Sequence, residues 1–172
     1  MTIAPLDRAV LARATADPVR GRLAGELPAL AREPAALARE LDETGLLGSL
    51  DALYAVRVGR ATLVAEVWAP DRPPIATTLR IGLGPLDRAD DASAPARALD
   101  ALVRHVVATT AAARIERAVF ADDRDSRAAC EQAGLALESV RREAGLRDGR
   151  PADMAVYVRL RRPELVQTRR DL

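Results

Sequence analysis

The stretch IERAVFADDRDSRAACEQAGLALESVRREAGLRDGRPADMAVYVRL, Ile115 to Leu160, decides the fold. Ile115 to Ala121 is a short β-rich run. Asp122, Asp123 and Asp125 follow it with helix-start chemistry, since a carboxylate oxygen accepts the open amide hydrogens of a first helical turn. The helix so opened carries Ala128, Ala129, Cys130 and Ala133, and it stops at Gly134, the residue type that tolerates a left-handed cap. Leu135 to Leu146 reads as a second strand, and Arg147-Asp148-Gly149-Arg150 as a tight turn. Met154, Val156, Val158 and Leu160 then alternate with Ala155, Tyr157 and Arg159 in a last strand.

This order of elements, with these residues, resembles the C-terminal half of the GNAT superfamily of acetyl-CoA-dependent N-acetyltransferases, and within it the enzymes that acetylate ribosomal-protein N-termini. In that subgroup an acidic loop leads into a run of the form N-x-x-S-x-x-x-x-E-K-x-G-F. The matching run here is DRDSRAACEQAGL, with Asp123 at the Asn, Ser126 at the Ser, Glu131 at the Glu, Gln132 at the Lys, Gly134 at the Gly and Leu135 at the Phe. The segment REAGLRDGR, Arg142 to Arg150, is similar as well. The resemblance implies an α+β (α/β three-layer) GNAT fold: a central mixed β-sheet with a parallel strand pair joined by a crossover helix.

The rest of the chain is consistent with one domain. Its 172 residues suffice to bury a sizeable core, and 49% of them are apolar. Only 2% are aromatic, so that core has to be built from Ala, Leu and Val. The 26 basic residues are all arginine, yet the net charge is +1 and no basic face stands out, which gives nucleic acid no electrostatic footprint. A single cysteine, Cys130, rules out an internal disulfide, and a single histidine, His105, rules out a multi-histidine metal site. No apolar run approaches membrane-spanning length and no leader pattern opens the chain, so a soluble, cytoplasmic protein with no membrane partner is expected.

Working outward, residues 1–50 read as a helical N-terminal part, 51–165 as sheet and crossover helices, and 166–172 as a tail. In the first part Pro28 marks a boundary or kink, Pro34 suits a helix start, and Thr2-Ile3 is a weak candidate for an opening strand. Ala52 to Val58 and Ala61 to Ala69 form two strands across a Gly59-Arg60 hairpin, and Ile75 to Leu83 a third. A helix from Ala94 to about Ala112 has Leu99, Leu102, Val103 and Val106 on its buried stripe, with His105 at the stripe's border. Strand, helix, strand in that order implies a parallel pair with a right-handed crossover. Ligands of such units favour the carboxyl ends of the strands and anions the front of the connecting helix, which places the ligand site near Gly84 to Arg97.

The resembled family carries R-G-x-G-x-A at that place, where glycines let main-chain amides close on the coenzyme A diphosphate. Here the stretch is RADDASA, Arg88 to Ala94: Arg88 keeps the first position, Ala89 and Asp91 replace the glycines, and Asp90 replaces a basic residue. The resemblance implies acetyl-CoA as cofactor, held by Leu83, Arg88, Ser93, Arg97, Asp123 and Ser126. Ser126 is the expected helper of the leaving thiolate. Cys130 stands where many relatives place a tyrosine general acid; as a residue it reads as a small buried hydrophobe. Glu66, in LVAEVWAP, is the candidate proton acceptor, alternating with Val64 and Trp68, or else an acid on a strand surface. Trp68 belongs either to an acceptor pocket or to the core. The partner implied is a small-molecule or peptide amine, with a homodimer as a family expectation. Two functions stay open: an N-acetyltransferase, or a protein of this fold that has lost acetyl-CoA and serves as a binding or dimerisation module or in another reaction.

Overall fold

The computed structural model describes residues 1–17, 19–23, 27–44, 52–70, 78–87 and 91–161. They build a seven-stranded sheet in the order β1-β2-β3-β4-β5-β7-β6. The strands are β1 (Thr2–Pro5), β2 (Ala52–Val58), β3 (Ala61–Trp68), β4 (Thr78–Pro85), β5 (Arg114–Phe120), β6 (Ala136–Arg147) and β7 (Arg150–Leu160). All neighbours run antiparallel except β4 and β5. The expected mixed sheet with one parallel pair is therefore present, and Thr2-Ile3 does open it as an edge strand on β2.

The helices divide between the two faces. On one lie α1 (Arg8–Thr15), α2 (Val19–Leu23), a 3₁₀ turn (Pro28–Ala31) and α3 (Pro34–Thr44); on the other lie α4 (Ala94–Thr109) and α5 (Arg124–Gln132). Each helix shows its sequence logic. Asp7 caps α1 by accepting from Val10 N, and Asp123 caps α5 by accepting from Ser126 N. The α4 stripe of Leu99, Leu102, Val103 and Val106 is inside, as expected, and Ala98 joins it. Truncating one of these leucines to Ala would cost about 2–5 kcal/mol. With so few aromatic residues, Tyr157 is the largest fully buried side chain, and its hydroxyl accepts from Arg127 Nε and donates to Glu131 Oε1, both at 3.1 Å.

Turn chemistry fixes the hairpins. Gly59, at φ +60°, closes β2 on β3. Asp148 and Gly149, at φ 51° and 75°, place two successive left-handed residues between β6 and β7, the geometry that matches strand twist in a two-residue hairpin. The β6–β7 register slips between Arg141 and Gly145, so that residues 142–144 bulge opposite Asp153. Asp153 holds the bulge by accepting from Glu143 N at 2.9 Å. Gly134 ends α5 at φ +75°. The end of the expected helical N-terminal part, from residue 45, and the expected tail at 166–172 lie outside the described residues. Among the described residues no helix is long and apolar enough to cross a membrane, and no cluster of His, Cys, Asp and Glu is placed to hold a metal ion.

Candidate active site

Everything at the site follows from a split between two strands. β4 and β5 pair only at Thr78–Arg114, Leu79–Ile115 and Arg80–Glu116. Beyond that rung β4 runs on to Pro85 beside β3 alone, and β5 to Phe120 beside β7 alone. Main-chain groups of the diverging segments are left without a sheet partner across the gap, which makes the wedge a place where a ligand can take up hydrogen bonds. A cavity opens on each side of it.

On the α4–α5 side is a groove of about 710 Å³. Leu63, Leu83, Ala96, Leu99 and Ala129 give it apolar walls, while Ser93 at the front of α4 and Asp123, Asp125 and Ser126 at the front of α5 form its rim. Its floor holds Arg117, which is 5% exposed. The Arg117 guanidinium donates to the Leu83 carbonyl oxygen at 3.4 Å, spanning the wedge from β5 to β4.

The front of α4 is already engaged from within the chain. One Asp91 carboxylate oxygen accepts from Ser93 N at 2.8 Å and from the Ser93 hydroxyl at 2.6 Å, and the other faces Arg97 at 3.4 Å. The Ser93 hydroxyl, then its amide and, less strongly, the Arg97 charge hold the Asp91 carboxyl below its ordinary range. Asp91 is thus ionised at neutral pH and sits where an incoming anion would look for the same donors. Ser93 and Arg97, both expected to hold the cofactor, are bound to it. Arg88 and Asp90 lie outside the described residues.

The expected coenzyme A ligands therefore fall into two sets. Leu83, Ser93, Asp123 and Ser126 come together around the groove; Arg97 stands outside its lining, on Asp91. Asp123 caps α5 through Ser126 N at 3.0 Å. Cys130 is fully buried and contributes no wall, in keeping with its reading as a small hydrophobe. The inner groove fits the arm of a pantetheine thioester in size and polarity. At its outer end Asp91 holds Ser93 N, the cap amide of α4, and faces Arg97, so a diphosphate would compete with this carboxylate for both.

On the opposite face is a pocket of about 240 Å³, walled by Pro28, Trp68, Arg80, Gly82, Glu116, Ala118, Arg141, Ala144, Met154 and Val156. Five strands and the 3₁₀ turn supply it, and the β6 bulge carries Arg141 and Ala144 to its wall. Glu116, 5% exposed, accepts from Arg80 Nε and from Arg114, each at 3.0 Å. Arg114 also grips Glu138 through two bonds of 2.6 Å. The Glu138 hydrogen bonds raise Arg114 above an already high range, and the same bonds lower Glu138.

Glu66, expected as proton acceptor, is 2% exposed, and both its carboxylate oxygens accept from Ala29 N, at 3.2 and 3.0 Å. It lies opposite Gly82 on the neighbouring strand and walls neither cavity. Trp68 walls the smaller pocket. His105 is half-buried, its ring edge-on to Tyr54 with centroids 5.3 Å apart. Sequence reading missed Arg80, Glu116 and Arg117. The signal available was two adjacent charges inside IERAVF, a strand whose central position leaves neither face in water.

No family model and no curated protein sequence matches this chain. Solved structures do. The spermidine N-acetyltransferase of Vibrio cholerae, in complex with coenzyme A and spermine, superposes with a TM-score of 0.73 at 12% identity, over 92% of this chain and 94% of that one. The ribosomal L7/L12 α-N-protein acetyltransferase RimL, in complex with coenzyme A, gives 0.68 at 16% identity over 92% of each chain. A ribosomal-protein-alanine N-acetyltransferase of Brucella melitensis gives 0.69 at 14% identity, over 94% of this chain and 100% of that one. At such identities the likeness is one of architecture, and in architecture this chain is a GNAT acetyltransferase fold.

Proposed function

We infer that the protein transfers an acyl group from a pantetheine thioester, acetyl-CoA in the first instance, to an amine. The observation that carries this reading is the wedge between β4 and β5, with a groove for the thioester arm on one side and a charged pocket on the other. Coenzyme A supplies the activated acyl group when bound. The chain's own part is positioning: the main chain around Leu83 presents hydrogen-bonding groups to the wedge, and the apolar groove walls exclude water. Ser126, in the first turn of α5, is placed on the groove rim to offer its hydroxyl to the departing thiolate. Arg117 has to leave the Leu83 carbonyl for the arm to take that hydrogen bond. Glu66, held by Ala29 N, anchors the 3₁₀ turn that brings Pro28 to the pocket wall, and the amine proton passes to water.

A second reading is favoured by one specific feature, the Asp91 carboxylate on the α4 amide: a fold kept without coenzyme A. Calorimetry separates the two. With acetyl-CoA in the millimolar range the native protein is expected to bind weakly, and Asp91→Gly to bind more tightly, because Ser93 N and Arg97 become available to phosphate. Absence of heat for both proteins would establish the second reading and end the first.

A further inference from the structure

The acceptor-side pocket carries a charge pattern that selects its occupant. Arg80, Glu116 and Arg141 line it, and Arg114 and Glu138 continue the network beyond the lining. Among the described residues Glu116 is matched by Arg80 and Arg114, and Arg114 and the Arg141 charge both act on Glu138, so three positive charges stand against two negative. Arg141 stands at the pocket wall on the exposed bulged strand, and Arg80 commits its Nε to Glu116. Glu116 belongs to the last rung before the strands part, so its carboxylate marks the point nearest the wedge. Between the charges the surface is apolar, with Trp68, Ala118, Met154 and Val156.

We propose that this pocket takes a small amine that also carries a carboxylate. The amine lies toward Glu116 at the wedge, and the carboxylate is received by Arg141 with the free edge of Arg80. A guanidinium fork matches a carboxylate in geometry as well as in charge, whereas a polyamine brings like charge to Arg80 and Arg141. The volume of about 240 Å³ is enough for one amino-acid-sized molecule. This assignment deepens the acyl-transfer reading and rests on it for the reaction; the binding step stands independently.

Trp68 is the sole tryptophan and a wall of the pocket, so intrinsic fluorescence reports occupancy directly. Full-length protein is titrated, without coenzyme A, with γ-aminobutyrate, L-glutamate, n-butylamine, spermidine and a short peptide with a free N-terminus. The amino acids are expected to give saturable changes, with n-butylamine and spermidine weaker by about tenfold or more, the worth of one charged hydrogen-bonding contact. Arg141→Gln, at an exposed position, is expected to weaken the amino acids by about tenfold and leave n-butylamine unchanged. A merely structural role for Arg141 would move both or neither. Spermidine, n-butylamine or the peptide binding as tightly as the amino acids overturns the proposal, as does the absence of saturation by any probe. Saturable amino-acid binding in a protein that gives no calorimetric signal with acetyl-CoA would sink the acyl-transfer reading while leaving the pocket assignment intact.

Discussion

Replacing Glu66 distinguishes a proton acceptor from an anchor. The side chain is buried and its two oxygens lie 3.2 and 3.0 Å from Ala29 N, at the start of the Pro28–Ala31 turn. In Glu66→Ala that buried N–H loses its acceptor, at about 1–3 kcal/mol. The lost stem adds about 1 kcal/mol of unburied apolar packing, partly offset because a buried charge is no longer desolvated. A net cost of about 2–4 kcal/mol lowers the melting temperature of a domain this size by about 5–15 °C. Glu66→Gln keeps one oxygen facing Ala29 N and gives up the charge assistance and the second accepting oxygen, about 1 kcal/mol and about 2–4 °C. Circular-dichroism melts measure both shifts, and acetyl-CoA-dependent thiol release with γ-aminobutyrate as acceptor measures turnover. The anchoring role predicts a large thermal shift for Ala, a small one for Gln, and a Gln variant with nearly native turnover. A Gln variant that melts normally yet turns over about 100-fold more slowly would refute it and make Glu66 the base.

Two further perturbations probe the frame of the site. A methyl group added at Gly84 would lie 2.3 Å from Leu23 Cδ2, so Gly84→Ala is expected to push α2 from the sheet and destabilise by about 1–3 kcal/mol; Leu23→Ala in the same chain should give less than the sum of the two single costs, and strict additivity in denaturant melts would contradict the contact. The Arg114 bonds hold Glu138 below its ordinary value of 4.5, so its stabilising contribution is present above that value and disappears as the pH falls through the lower folded-state value. The melting temperature of Glu138→Gln should therefore lie below that of the native protein near neutrality, and the gap should close in acid; a gap that widens on acidification would reverse the sign of this linkage.

What the sequence displays, and what it hides, divides along the line between local and tertiary causes. Gly59, the Asp148-Gly149 turn, the Asp123 cap and the α4 stripe are local signals, and each sits where its residues place it. The opening strand is faint because four residues on a sheet edge carry almost no periodicity. The site residues depend on events that no local pattern encodes. In IERAVF the pair Glu116-Arg117 looks like the wet face of a half-buried strand, yet β5 lies inside the sheet with a pocket on one side and a groove on the other. Glu66 resembles a surface acid until the 3₁₀ turn is laid across it. The RADDASA stretch announces a carboxylate at the front of α4, but not that Asp91 folds back to bind Ser93 and Arg97.

These charges also mark the place where the strands part. The last rung pairs Arg80 with Glu116, an ion pair on the face of the smaller pocket. The next residue along β5, Arg117, turns a guanidinium into the other face, where it reaches the Leu83 carbonyl. That side chain bridges β5 to β4 on the α4–α5 face, where their main chains no longer pair. Consecutive charges on one strand therefore face the two sides of the wedge, Glu116 the smaller pocket and Arg117 the groove. What each side of the wedge can hold is decided by these neighbouring residues.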